Sequence, residues 1–164
     1  MPATSSQAIS IRRASVADAP LILRFIKELA EYERMSDEVT ATVDQITDRL
    51  FGTKPAAEAL IGEVGGEPAG FALYFQNFST FLARPGIYLE DLYVRPAARR
   101  LGLGAALLAR LAKLAVERDC GRLEWAVLDW NQPAMDFYSR LGARPMHDWT
   151  VWRLSGEALR LLAE

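Results

Sequence analysis

The sequence contains one cysteine, Cys120, and one histidine, His147. A lone cysteine excludes an internal disulfide and any CxxC metal site, and a lone histidine excludes a His cluster. The pair offers little for Cys–His catalysis. Cys120 therefore reads as a structural thiol, and no metal is expected. Lysine is scarce as well, at Lys27, Lys54 and Lys113 only; the other basic residues are arginines, the better choice for gripping phosphate in a fixed geometry. No run approaches the ~18 consecutive apolar residues of a membrane span, so no membrane partner is expected. Residues 1–8 are polar and lack the apolar core of a signal peptide. They read as a flexible tail on a cytoplasmic protein. With a net charge of −2 at pH 7, nothing points to nucleic acid as a partner.

The 164 residues, 51% hydrophobic and 24% charged, suffice for one domain with a real core, expected over residues 9–164. Ile9 to Arg12 alternates like a half-buried strand. Ser15-Val16-Ala17-Asp18 has the form of a helix start, and Pro20 fits the first turn of the helix that follows. Ile22, Phe25, Ile26 and Leu29 give that helix one apolar face, with Glu28, Glu31 and Glu33 around its end. The acids Glu28 and Glu31 read as a solvated face. A second helix is expected from Val43 to about Leu50.

From Ala59 the period changes to that of strands. Ala59–Val64 and Pro68–Phe75 read as strands joined by a Gly65-Gly66 turn. Gly86–Val94 reads as the next strand, after a loop holding Phe78 to Phe81, Arg84 and Pro85. A long helix with Leu107, Leu108, Leu111 and Leu114 on one stripe follows, with Gly121 as its C-cap. Arg122–Leu128 reads as a strand, Pro133–Leu141 as a short helix stopped by Gly142, Thr150–Leu154 as a last strand, and Glu157–Leu162 as a terminal helical turn or two.

The segment before the long helix carries the chemistry. Gly102 and Gly104 let the backbone bend and let a ligand approach the main chain. The helix beyond them points free N–H groups and the positive end of its dipole at that ligand, with Arg99 and Arg100 alongside. Together these describe a pyrophosphate cradle. A P-loop is excluded because the sequence has no Gly-Lys pair, and a dinucleotide fingerprint because Leu107 stands where Gly or Ala is needed.

The Arg99–Gly104 loop, preceded by Tyr88-Leu89-Glu90-Asp91-Leu92-Tyr93-Val94, resembles the acetyl-CoA-binding core of the GNAT superfamily of N-acetyltransferases. Lys27 to Glu33, Tyr88 to Asp91, and Ala126 to Gln132 followed by Ala134-Met135-Asp136 and Tyr138 are similar to the diamine (spermidine/spermine) and thialysine acetyltransferases. The resemblance runs from about Ile11 to Leu162. It implies a single α/β domain of the GNAT type, with a mixed, mostly antiparallel sheet flanked by helices and splayed at Glu90–Val94. It also implies acetyl-CoA as cosubstrate, a primary amine as acceptor, and a homodimer formed through Trp149–Leu154.

Position by position, the resemblance makes Tyr138 the proton donor and Glu90 the base. Backbone groups of Leu92, Tyr93 and Val94 pair with the pantetheine arm, and Arg99, Arg100, Leu101, Gly102, Leu103, Gly104 and Ala105 hold the pyrophosphate. Asn131, Gln132, Pro133 and Ala134 line the cofactor's far side. Tyr32, Glu33, Glu90, Asp91, Glu124, Trp125 and Ala126 hold the amine.

These residue types also make chemical sense on their own. An amine of pKa near 10.4 is neutral in roughly one molecule in a thousand or two at pH 7. Carboxylates such as Glu90 and Asp91 attract the cation and help remove its proton. The thiolate of coenzyme A needs a proton, which a tyrosine hydroxyl can give. Two departures bear on the amine: Phe78-Ser79-Thr80-Phe81 lacks the Asp-Pro-Trp of the polyamine enzymes, and Thr150-Val151 precede Trp152 where acids and Gly are usual. The rivals are a protein or peptide N-acetyltransferase and a non-catalytic acyl-CoA sensor.

Overall fold

The computed structural model describes residues 8–164, so the tail expected over 1–8 lies outside the described residues except for Ala8. The chain divides into two units, one reaching Ala126 and the other Val127–Glu164. The first holds strands β1 (Ile9–Arg13), β2 (Glu58–Val64), β3 (Glu67–Ser79), β4 (Arg84–Val94) and β5 (Leu123–Trp125), with helices α1 (Ala19–Tyr32), α2 (Val43–Phe51) and α3 (Leu103–Glu117). The second holds α4 (Gln132–Arg140) and α5 (Gly156–Leu162).

The sheet order is β1-β2-β3-β4-β5. The first four strands are antiparallel and β5 joins β4 in parallel. Strand alternation divides the core between the two faces. Ala59, Ile61, Phe71 and Tyr93 meet Ile22, Phe25 and Leu29 of α1 and Ile46 of α2. On the opposite face Leu103 of α3 lies so close to Gly62 that a Cβ there would stand 2.7 Å from its Cδ1.

The N-terminal start of α1 follows the sequence. Asp18 accepts from the Ser15 N–H at 2.7 Å and, through both oxygens, from Arg12 at 2.8 Å, which holds its carboxyl at about 2. Its end does not. Arg34 takes the left-handed conformation (φ 62), its N–H bonding Glu31 O and that of Met35 bonding Ala30 O. This Schellman closure stops the helix at Tyr32. Glu28 is not a solvated acid: Arg95 grips both its oxygens, at 2.8 and 3.0 Å, tying α1 to the end of β4.

Other expectations are corrected. Arg84, Pro85, Phe78 and Ser79 belong to β4 and β3 rather than to a loop, leaving only residues 80–83 between the strands. Helix α3 ends at Glu117 with Arg118 as its C-cap, and Asp119 (φ 56) makes the left-handed closure assigned to Gly121. The strand expected over Arg122–Leu128 keeps only Leu123–Trp125. Thr150–Leu154 forms no strand. Its residues are exposed, Trp152 at 92%. β-propensity alone does not make a strand without ladder hydrogen bonds.

Candidate active site

The site begins where β4 loses its neighbour. Leu73 faces Asp91 and Tyr74 faces Leu89, so Glu90 is the extra residue of a β-bulge. On the other side β5 pairs only with Ile87, Tyr88 and Leu89. From Glu90 onward the β5 edge is open among the described strands, which is the expected splay. Arg95 N–H bonds Ala69 O at 2.8 Å. By alternation, the N–H and C=O groups of Val94 and Leu92 face the open edge while those of Tyr93 face β3. The Val94 carbonyl accepts from Arg99 Nε at 3.0 Å. The Tyr93 side chain is core, its ring 6.2 Å from that of Phe25.

After β4 the chain turns through Pro96–Ala98 into the glycine loop. Gly102 is the N-cap of α3 with φ 94, a conformation natural to glycine, and no side chain caps the helix. The N–H groups of Leu103, Gly104 and Ala105 therefore lack helical partners, the first helical bond being Ala106 N to Gly102 O at 3.0 Å. Such an uncapped, positively polarised helix start fits a phosphate or pyrophosphate group. Arg100, also left-handed (φ 66), and Leu101 are exposed beside it. The Leu103 side chain is buried in the core, leaving its backbone to the site.

The face of the sheet that carries α1 is strongly acidic at the bulge. Asp91 is half-buried, and burial followed by the charges of Glu90 and Glu33 pushes its carboxyl up to about 6. Burial likewise raises Glu33, and Tyr88 is raised by burial and by Glu90 and Glu124. The structure thus brings together Glu33, Glu90, Asp91 and Glu124, with Tyr88 among them. Glu124 is already engaged, by Arg122 at 2.7 Å and Asn77 Nδ2 at 3.4 Å. Trp125 is half-buried opposite Leu89, and Ala126 is exposed. Tyr88 and Asn77 were not named as site residues from the sequence, because what brings them to Glu124 is the strand register, Tyr88 facing it across β4–β5 and Asn77 bonding it from β3.

The second unit carries the remaining candidates. Asn131 is buried and caps α4, its Oδ1 accepting from Ala134 N at 3.4 Å, and Pro133 lies in the first turn. Gln132 Nε2 donates to Asp136 at 2.6 Å. Tyr138 is half-buried in the last turn with its ring 5.4 Å from that of Phe137. Gly142 (φ 86) closes the helix as expected. Among the described residues no group of three or more His, Cys, Asp or Glu could hold a metal ion.

A bulged central strand with an open edge leads into a helix start built to receive an anion. The model of the acetyltransferase (GNAT) family matches residues 23–143. Thialysine N-epsilon-acetyltransferase of Bos taurus is 40% identical over 94% of this chain and 97% of its own. Spermidine/spermine N(1)-acetyltransferase-like protein 1 of Homo sapiens is 34% identical over 97% of this chain and 24% of its own. An integron cassette protein from the mobile metagenome of V. cholerae superimposes with a TM-score of 0.80 at 25% identity, over 95% of this chain and 98% of its own. The chain belongs to the GNAT family and is an N-acetyltransferase, and acetyltransferases of this family use acetyl-CoA as cosubstrate.

Proposed function

We propose that one acetyltransferase domain, from residue 9 to 164, moves acetyl from acetyl-CoA to the primary amine of a small diamine or a lysine/thialysine-like amino acid by direct attack. The observation that carries this reading is the bulge, which sets Glu90 and Asp91 beside the open edge of β4. Acetyl-CoA, when bound, supplies the thioester and a thiol leaving group. The open groups of Leu92 and the Val94 N–H receive the pantetheine arm, and the N–H groups of Leu103 to Ala105 with Arg100 hold the pyrophosphate. Tyr32, Glu33 and Asp91 draw in the ammonium ion, and Glu90 takes its proton, directly or through water. Tyr138 returns a proton to sulfur, and Asn131 to Ala134 line the cofactor's far side. These last roles rest on the family resemblance. The lone cysteine agrees with a cytoplasmic setting. A screen of free amines with acetyl-CoA, following thiol release, tests the reading. Turnover of peptides but of no free amine overturns it.

Asp91 gives a sharper expectation. A carboxyl raised from 3.8 to about 6 costs folded-state stability once ionised. That cost is absent below the unfolded pKa, grows as pH climbs from 3.8 towards 6, and is complete above it. Asp91→Asn is therefore expected to stabilise the protein at pH 7 by on the order of 1–2 kcal/mol while lowering affinity for a cationic acceptor. Denaturant unfolding at pH 7 and pH 4, with acceptor KM, measures both. Equal stability at both pH values would show that Asp91 titrates normally.

The assembly is proposed to be a homodimer. Trp149, Val151 and Trp152 are more than three-quarters exposed, and a second copy would cover them through an isologous contact. Light scattering should give twice the chain mass; the mass of one chain refutes the proposal.

A further inference from the structure

Tyr32 and Glu33 close α1, whereas Glu90, Asp91 and the open edge belong to β4. A reaction between two bound partners needs these elements in one register, since a misplacement of about 1 Å can cost ~10²-fold in rate. Apolar packing alone fixes register poorly, because it is non-directional. The last buried residues of α1 are Leu29 and Ala30, and Glu31 and Tyr32 beyond them are exposed. A directional contact stands just before that point. Arg95, the residue after β4, bonds both oxygens of Glu28 at 2.8 and 3.0 Å, and its Nη1 bonds the Pro68 carbonyl at 3.2 Å. Its guanidinium lies 4.8 Å from the ring centroid of Phe25, one turn back along α1. Such a fork fixes angle as well as distance. With side chains only 31% and 27% exposed, the pair is not the fully exposed kind that contributes little. Arg95 and Arg99 flank the Pro96–Ala98 turn, and Arg99 stands 4.9 Å from the ring centroid of Tyr32, one turn on from Glu28. One face of α1 is thus tied twice to the segment after β4. Helix and strand run in opposite senses here: Glu28 meets Arg95, while further along α1 Glu33 acts on Asp91, further back along β4.

We propose that Glu28 and Arg95 are positioning residues for acetyl transfer, a clamp that sets the end of α1, and with it Glu33, against the bulge at Glu90 and Asp91. The proposal rests on the amine-acetyltransferase reading above and adds to it two residues that act through Glu33. Opening the clamp leaves the cofactor's seat intact, since the Arg95 N–H stays bonded to Ala69 O at 2.8 Å and the start of α3 is untouched. It frees the end of α1 to shift against β4, so the amine loses its alignment while acetyl-CoA keeps its own. A pair with a merely structural role would instead lower the melting temperature and leave the kinetic constants of the folded enzyme unchanged.

The test is steady-state kinetics of Glu28→Gln, Arg95→Gln and Arg95→Lys, alone and combined with Glu33→Gln, using thialysine or the best amine of the screen above. Glu28→Gln and Arg95→Gln are each expected to lower acceptor kcat/KM on the order of 10–100-fold, with the Kd for acetyl-CoA kept within about twofold. The double variant should be no worse than either single one, because the two residues act as a unit. Arg95→Lys keeps the cation but loses the fork, and should recover only part of the loss. In a Glu33→Gln background, opening the clamp should cost less than about threefold more, because the residue it positions is already gone. Losses that add fully to that of Glu33→Gln overturn the proposal, as does unchanged acceptor kinetics in the folded variants. An equal loss of acetyl-CoA affinity also overturns it and assigns the clamp to the cofactor. Should the glutamine variants fail to fold, Arg95→Lys decides, and wild-type acceptor kinetics there overturn the proposal. A wild type that acetylates no free amine fails the underlying reading, and this one with it.

Discussion

Gly104→Val is expected to abolish the thermal stabilisation that acetyl-CoA gives the wild-type protein. A ligand present at 100 times its Kd stabilises the native state by about 2.7 kcal/mol, which for a chain of this length raises Tm by about 5–10 °C. Gly104 lies within the first turn of α3 and is not among the glycines with positive φ, so valine can adopt its backbone conformation. The variant should therefore fold with an unliganded Tm close to that of wild type, while its side chain crowds the uncapped N–H groups of Leu103 and Ala105. Gly102→Val would be less informative, because φ 94 at that residue adds backbone strain to any loss of binding. Scanning fluorimetry with and without acetyl-CoA measures the effect. A shift in the variant equal to that of wild type would remove the α3 start from the cofactor site. No shift in wild type at millimolar acetyl-CoA would count against the cofactor assignment as a whole.

Much of this site was legible because its signals are local. The Ser15–Asp18 capping box, the Gly65-Gly66 turn and the bend at Gly102 before α3 depend on residues adjacent in sequence, and each appears where expected. What escaped was fixed by tertiary partners. Nothing in Glu90-Asp91 reveals that Glu90 is a bulge, since register belongs to the pair β3–β4 and not to either strand. Glu28 reads as a surface acid until β4 brings Arg95 to it, 67 residues away in sequence. The end of α3 was misjudged for a different reason. Glycine is the usual left-handed terminator, but Arg34 and Asp119 do the same work here at some cost in strain, so searching for Gly placed the end of α3 too late. Thr150–Leu154 has strand-forming residues but forms no strand. Propensity alone cannot supply one.

Tyr138→Phe is expected to lower kcat by ~10²–10⁴-fold, the usual scale for losing a general acid. The substitution removes one oxygen and keeps the ring, which stands 5.4 Å from that of Phe137 in the last turn of α4. The Tyr138 carbonyl accepts from Ala143 N–H at 3.2 Å in the closure at Gly142, a backbone contact that phenylalanine retains. Folding and helix geometry should therefore survive, and the loss should be chemical. If the hydroxyl protonates the departing thiolate, its interaction strengthens only as charge develops on sulfur. The affinity for acetyl-CoA should then change little while kcat and kcat/KM fall together. The loss should also be smaller for acyl donors whose thiols are more acidic, since a better leaving group depends less on a proton donor, whereas a packing defect would slow all donors alike. Steady-state kinetics with a well-turned-over amine and two acyl donors of different thiol pKa measures this. A folded variant within about threefold of the wild-type rate would return Tyr138 to the packing of α4 and leave water as the acid.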